Sequence, residues 1–449
     1  MRVVVIGAGI AGLSAALTLA RRARQEGLPL ELHVLEAESR AGGHVGTVRE
    51  DGFLIETGPN GFLGNHPATT ALLDELGLGT AILEAAPQSR RRFLARGHRL
   101  HRLPASPLGL LTTRCLTLRG RLRLAREPWI SPRQESGEET VLEFGRRRFG
   151  PEAAEVLGDA IVAGTSAGAA GLLSVEASYP ILPTLERRYG SVVRGLIRHR
   201  RENPSGGGLR SLAGGMQTVV DAIVARLAVQ LDSRVTGLTR DGGTWLVHRA
   251  GGSPLRADHV IAAVPDCTAA PWFGGLAPEL AAALEETPRA GVVVVAFAWR
   301  IGDLGRNLDG YGYLVPKREG LVTLGMVWES SLYPGRAPKD WALCRILLGG
   351  MRTPSAMARS DRELLDLAET EAAPLLEAHR PPSRAWIFRW PGAIAQYGLG
   401  HRERVGAIRE AAARTGGGGI TLCGSSYDGV SFTAALESGA AAGEQVPLG

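Results

Sequence analysis

The sequence predicts an α/β fold with α+β parts, in which a discontinuous Rossmann-like domain is interleaved with a β-rich domain and a helical lobe. Three observations carry this expectation. The chain opens on Gly-x-Gly-x-x-Gly between an apolar run and a helical pattern. A second strand follows and ends on an acid. The strand–glycine–helix pattern then returns after residue 201 and again at 416–432, beyond long stretches of different character.

The opening stretch defines the first element. Residues 3–6 are a short apolar run that meets Gly7, and Leu13, Leu17 and Leu19 follow among alanines. Gly7 permits a tight turn, Gly9 lets backbone approach a pyrophosphate, and Gly12 allows close packing of helix on strand. The helix begins at Ile10 and Ala11, where unpaired N–H groups and partial positive charge suit phosphates. The second strand, 30–36, ends on Glu36, 24 positions after Gly12. With Ala37 beside it, Glu36 is placed to accept both ribose hydroxyls, and its charge repels a 2′-phosphate. The residues describe a dinucleotide site.

Arg40, Gly42, Gly43 and His44 come next, a cation and paired glycines suited to a second pass of backbone along the pyrophosphate. A strand at 52–56 then leads to another turn, Gly58-Pro59-Asn60. This array resembles the family of FAD-dependent amine oxidases, phytoene desaturases and protoporphyrinogen oxidases. The resemblance implies non-covalently bound FAD. In that family the segment after the ribose acid usually reads Arg-x-Gly-Gly-Arg, and here the last position is His44.

Composition sets wide bounds. The 449 residues suffice for two to three domains, and 44% hydrophobic with 21% charged content describes an ordinary folded chain. Net charge is +6, carried almost wholly by arginine, since Lys317 and Lys339 are the only lysines. Arginine spread so widely reads as genome composition rather than a nucleic-acid face, and no nucleic-acid partner is expected. Cys115, Cys267, Cys344 and Cys423 lie far apart, and the ten histidines show no ligand spacing. Neither a disulfide framework nor a metal site is signalled, and a reducing cytoplasm fits. Met1 runs straight into the first strand, so no signal peptide is expected, and no apolar run is long enough to span a bilayer.

Along the chain, a helix is expected over 68–76, a short strand over 81–84 and a hairpin around 90–100 that Pro104 and Pro107 end. Helices are expected over 110–124, 140–149, 153–163 and 174–197, before a flexible connection at 201–208. A helix at 218–227 and strands at 234–238, 244–250 and 258–264 restore the α/β pattern. Further strands at 292–300, 312–316, 321–329, 344–349 and 385–390, with a helix at 361–378, make the β-rich part. The last strand meets Gly424 and then a small-residue helix, a second cradle built like the first. The expected domains are 1–85, 201–270 and 400–449 for FAD, 86–107 and 271–399 for substrate, and 108–200 for the helical lobe. In the family, the residue matching Val235 meets the adenine and 262–265 lies near the cofactor. That implies contacts at Val235 and Ala263, and at Gly424, Val430 and Ser431 in the tail.

Several segments are similar to protoporphyrinogen oxidases in particular: 56–62, 92–94, 173–180, 185–195, Trp390-Pro391 with Gln396-Tyr397, and Gly-x-x-Tyr-x-Gly-Val at 424–430. The resemblance implies oxidation of a porphyrinogen tetrapyrrole, protoporphyrinogen IX or coproporphyrinogen III, releasing six electrons in three flavin cycles in haem biosynthesis. No second nucleotide fingerprint is visible, so electrons enter from the organic substrate and leave to oxygen or a quinone. No catalytic side-chain constellation stands out, and the flavin itself is expected to carry the chemistry. Arg92 matches a family position facing a propionate; Ser166, Trp390 and Tyr397 are the other expected slot residues. Ser166 stands where the family often has an aromatic residue, within Gly-x-(Tyr/Phe)-Ala-Gly; here the segment is Gly164-Thr165-Ser166-Ala167-Gly168. The arginines at 114, 119, 121, 123 and 126 among leucines leave peripheral membrane contact open, as they leave monomer and homodimer open. Two alternatives stand beside this reading: a flavin oxidase of amines or polyenes, and a flavin-binding protein without turnover.

Overall fold

Val3 and Val5 project to one face of their strand, and Val4 and Ile6 to the other; all four are buried. A strand apolar on both faces belongs inside a parallel sheet. In the computed structural model, which describes residues 1–104, 109, 112–133, 137–202 and 207–448, Arg2–Ile6 is the central strand of five. The order is Val229–Gln230, Glu31–Leu35, Arg2–Ile6, His259–Ala262 and Ile420–Leu422, all parallel. On one face, Val3 and Val5 pack with helices Ile10–Glu26, Gln217–Val224 and Phe432–Gln445. On the other, Val4 and Ile6 pack with a three-stranded meander, 235–257, and helices Pro278–Glu285 and His401–Arg414.

The β-rich region forms one sheet of seven strands. Its order is Arg384–Ala395, Arg289–Arg300, Trp341–Gly349, Thr323–Val327, Gly312–Leu314, Arg92–Arg96 and Arg99–Leu103. The last two are the expected hairpin, turning through Gly97 and His98, both at positive φ. That hairpin joins a sheet whose other strands lie some two hundred residues later, through a parallel pairing of Phe93 with Tyr313. Helix Asp361–Leu376 covers one face, and Ala163 and Ala167 from the lobe pack on Val292, Val294 and Leu324 on the other.

The lobe is organised around buried charge. Glu127 and Arg148 are both fully buried and paired, and Glu127 also accepts N–H groups from Val192 and Val193, at 2.9 and 3.2 Å. That carboxylate therefore caps helix Val192–Glu202 from outside.

Several expectations need correction. The single helix expected over 174–197 is three, Val175–Ser178, Ile181–Tyr189 and Val192–Glu202, because Pro180 starts a new helix and Gly190 turns the chain left-handed at φ 66°. The strand expected over 321–329 ends at Val327, and Glu329–Leu332 is a helical turn. Of the helix expected over 110–124, residues 110–111 lie outside the described residues, 112–117 are turn and coil, and the helix is Leu118–Ala125, which starts only after Thr117 caps it. Pro107 and residues 203–206 of the expected 201–208 connection also lie outside the described residues, while 201–202 continue helix Val192–Glu202. Strand Gly252–Ala257 and helices Pro278–Glu285 and His401–Arg414 escaped the pattern reading.

Candidate functional site

The edge of the five-stranded sheet at the strand C-termini gathers the glycine turns. Gly7 adopts φ 98°, and a Cβ there would lie 2.7 Å from the Ala263 carbonyl oxygen. A Cβ on Gly12 would overlap the Gly7 carbonyl, so helix Ile10–Glu26 can sit tightly against its strand. Gly9 differs: a Cβ there would meet nothing within 4 Å. Gly9 is also the helix N-cap, without a side-chain cap and with no acid in the first turn. The helix start at Ile10 and Ala11 therefore has open space beside its Gly9 cap and no side chain capping it, as a diphosphate site requires.

Glu36 closes this turn from the neighbouring strand. Its carboxylate accepts the Ala8 N–H at 2.8 Å and the Glu38 N–H at 3.1 Å. Each oxygen keeps lone-pair capacity for a ribose hydroxyl. Ala37 is half-buried beside it, and the Ser233 N–H donates to the Glu36 carbonyl at 2.7 Å, which brings Val235 to the ribose side.

The second pass of backbone crosses the first. The Gly42 N–H donates to the Ala8 carbonyl at 2.8 Å, and a Cβ on Gly43 would lie 3.3 Å from Gly9 Cα. Arg40 is committed within this loop, donating to the Gly43 carbonyl at 2.6 Å and the Val45 carbonyl at 2.9 Å. His44 meets Trp390 edge-on at 5.2 Å. His44 is exposed, yet desolvation by the protein around it, then Arg289 and Arg40, holds the imidazole down to about 4. His44 thus stands neutral at pH 7 where the resembling family usually has arginine.

The Gly58-Pro59-Asn60 turn is held from the seven-stranded sheet. Arg345 donates to the carbonyls of Glu56 and Gly58, and Trp390 Nε1 donates to the Thr57 carbonyl at 2.6 Å. Below it Glu56, 1% exposed, accepts from Thr47 Oγ1 and the Met216 N–H and faces Arg336 at 3.2 Å. Burial raises its carboxyl above the usual range, with Arg336 opposing.

In the tail, Gly424 at φ 111° donates its N–H to Ser438 Oγ at 2.9 Å, and Ser438 donates to Asp428 at 2.6 Å. Val430 is half-buried, and Ser431 caps helix Phe432–Gln445 by accepting the Ala434 N–H. This second helix start lies beside the first because Gly439 and Gly443 let the two helices touch. A Cβ on Gly439 would overlap the Ala11 carbonyl oxygen, and one on Gly443 would lie 2.6 Å from that of Ala15.

Of the residues expected to line a substrate slot, Trp390 reaches the junction between the two sheets. Tyr397 does not present a face there: it is 5% exposed, stacks on His401, and its hydroxyl donates to Ser425 O and accepts the Gly429 N–H. It braces the tail turn from behind. Ser166 is buried at the end of helix Asp159–Ser166, its hydroxyl spent on Val162 O and its carbonyl accepting from Gln396. The Arg92 guanidinium lies 4.9 Å over the Tyr311 ring and, among the described residues, pairs with no carboxylate. Sequence reasoning missed Tyr311, Glu329 and Arg345. Arg345 had a signal: a cation inside the otherwise apolar run 341–349 must be buried with partners.

Two crossed backbone passes, a ribose-side acid and a second helix start together define an FAD-binding oxidoreductase, and the residues present fit that dinucleotide. A family model described as flavin containing amine oxidoreductase matches residues 10–447, and the chain belongs to that family. It is 32% identical to bovine (Bos taurus) protoporphyrinogen oxidase over 99% of this chain and 98% of that one. With the coproporphyrinogen III oxidase of Bacillus subtilis it shares 28% identity over 98% and 96%. A crystal structure of a provisionally assigned protoporphyrinogen oxidase from Exiguobacterium superposes with a TM-score of 0.85 at 25% identity, covering 99% and 98%.

Proposed function

We propose that this chain oxidises a porphyrinogen, protoporphyrinogen IX or coproporphyrinogen III, to the porphyrin in haem biosynthesis. The observation that carries the reading is likeness from end to end to oxidases named for both substrates. The chemistry that FAD supplies when bound is acceptance of hydride from a methylene bridge carbon, repeated in three cycles for six electrons, with oxygen or a quinone as final acceptor. The protein binds and orients. Gly7, Gly9, Gly12 and the tail turn hold the dinucleotide at two helix starts, Glu36 selects an unphosphorylated ribose, and Arg345 with Trp390 fixes the turn at 56–60. Arg92, with no carboxylate partner among the described residues, supplies a planar cation for a propionate.

The three-part division into 1–85, 201–270 and 400–449 for FAD, 86–107 and 271–399 for substrate, and 108–200 for the lobe belongs to this reading. So does non-covalent binding: Cys423 is the thiol beside the tail turn, and burial pushes it up to about 12, where it is a poor nucleophile. No helix among the described residues is long and apolar enough to cross a membrane. Peripheral contact through the lobe is supported by Leu118, Leu122 and Trp129, 65%, 59% and 78% exposed, beside the exposed Arg119 and Arg126.

The test is anaerobic mixing of the FAD-loaded protein with coproporphyrinogen III and protoporphyrinogen IX in parallel, then admission of air. Flavin bleaching by one or both, followed by porphyrin fluorescence, is the expected result. Bleaching by neither overturns the reading.

A further inference from the structure

Beneath the 56–60 turn, Asn60 and Arg345 meet on Glu329, a buried carboxylate to which the proposed function assigns no part. Asn60 Nδ2 donates to Glu329 Oε1 at 3.0 Å, and Arg345 Nε lies 3.0 Å from the same oxygen. Glu329 and Arg345 are 2% and 6% exposed in their side chains. Arg345 continues to the carbonyls of Glu56 and Gly58, at the base of the same turn. Nearby, the Tyr311 ring carries the Arg92 guanidinium at 4.9 Å. One run of contacts therefore leads from Asn60 through Glu329 and Arg345 back to the backbone of the same turn.

We propose that Glu329 is a positioning residue that acts through Asn60 to fix the 56–60 turn against bound FAD. An ionised carboxylate can only accept, so Glu329 dictates which end of the Asn60 carboxamide turns inward: Nδ2 faces the protein and Oδ1 is the atom presented outward. Arg345 holds Glu329 in place by the 3.0 Å contact while pinning two carbonyls of the turn. Both partners are buried, so the pairing is not exchanged for water, and loss of either leaves a polar group stranded. Glu329 comes from the helical turn after strand Thr323–Val327, so the β-rich sheet sets the geometry of a cofactor loop.

This inference rests on FAD binding across the cradle and is independent of which substrate is oxidised. The test is a donor–acceptor exchange read by FAD affinity of the apoprotein, from flavin fluorescence titration, and by the visible flavin spectrum. In Glu329→Gln the amide can offer a donor to Asn60, and in Asn60→Asp two carboxylates face one another. Each single variant is expected to weaken FAD binding at least tenfold. The double variant Asn60→Asp/Glu329→Gln restores one donor and one acceptor with the polarity reversed, and returns affinity to within about threefold of wild type. A double variant that multiplies the two losses overturns the proposal, because a packing role is not rescued by exchanging donor and acceptor. Should Glu329→Gln alone fail to fold, the double variant is decisive by itself: a folded double variant with near-native affinity upholds the pairing, and one that also fails to fold sinks it. Porphyrinogen turnover enters none of these readouts.

Discussion

The Glu36 carboxylate accepts the Ala8 N–H at 2.8 Å, so the acid that ends the second strand also ties down the glycine turn that ends the first. In the proposed FAD site, selection of the ribose and shaping of the diphosphate cradle would thus share one side chain. Glu36→Ala is expected to do more than remove a ribose contact. Stranding a buried amide costs about 1–3 kcal/mol, and roughly 1.4 kcal/mol is a tenfold change in affinity. FAD binding should weaken by roughly 10- to 100-fold, with a lower melting temperature in the apoprotein as well. Fluorescence titration and thermal melts measure both. An unchanged apoprotein melt would show that the Ala8 contact contributes nothing beyond the ribose.

Gly439 and Gly443 make the second prediction. Gly439→Ala drives a methyl into the Ala11 carbonyl, and Gly443→Ala places one 2.6 Å from the Ala15 carbonyl. Backbone on both sides leaves little room to yield, and overpacking of this kind costs about 1–3 kcal/mol or more. Urea denaturation should show both variants destabilised, Gly439→Ala more so. Because Ala11 belongs to the first turn of the cofactor-binding helix, Gly439→Ala should also lower FAD content on purification. Equal stability of wild type and Gly439→Ala would contradict the observed crossing.

How far the sequence reached follows from which forces are local. The nucleotide cradle was legible because its strand, turn, helix and acid fall within 36 residues, each with its own periodic or glycine signal. The hairpin at 92–103 was legible for the same reason, while its place in a sheet beside Gly312–Leu314 was not: parallel pairing across two hundred residues leaves no local mark. Helix His401–Arg414 was missed because its apolar face is only Val405, Ile408 and Ala412 among arginines and glutamates. The largest gap lies in buried charge. Glu56, Glu329 and Arg336 carry no local mark of burial, and even for Arg345, which does, only folding shows the pairing of Glu56 with Arg336 and of Glu329 with Arg345. Tyr397 illustrates the converse, since an aromatic near a cofactor loop lines a slot or braces the loop according to which way it turns.

Two buried histidines set an expected pH dependence. His259 and His401 are 7% and 2% exposed, and burial, with Arg404 adding to it for His401, holds each down to about 4. In the unfolded chain both titrate near the ordinary value of about 6.5. Between those values the unfolded state binds more protons, so stability rises with pH through the window from about 4 to about 6.5 and is lost as pH falls through it. His259→Gln/His401→Phe, which keeps a ring on Tyr397, should flatten the fall in melting temperature between pH 7 and pH 5. A double variant with the full wild-type slope would assign acid sensitivity to other groups.

Arg92 carries the prediction closest to substrate. Its guanidinium rests on the Tyr311 ring at 4.9 Å, which fixes the plane of the cation without neutralising it. A hydrogen bond to a charged partner is worth about 1.5–3 kcal/mol, so Arg92→Ala should raise KM for a porphyrinogen by roughly 10- to 100-fold. The rate of flavin reduction at saturation should change far less, since the propionate is remote from the methylene bridge that reacts. Arg92→Lys should fall between, because an ammonium keeps the charge but neither the planar fork nor its fit to the ring. The two substrates then locate the contact. Protoporphyrinogen IX and coproporphyrinogen III share two propionates and differ where the former has vinyls. An equal rise in KM for both places Arg92 at a shared propionate, and a rise confined to coproporphyrinogen III places it at one of the extra two. A fall in kcat with KM unchanged would remove Arg92 from substrate anchoring altogether.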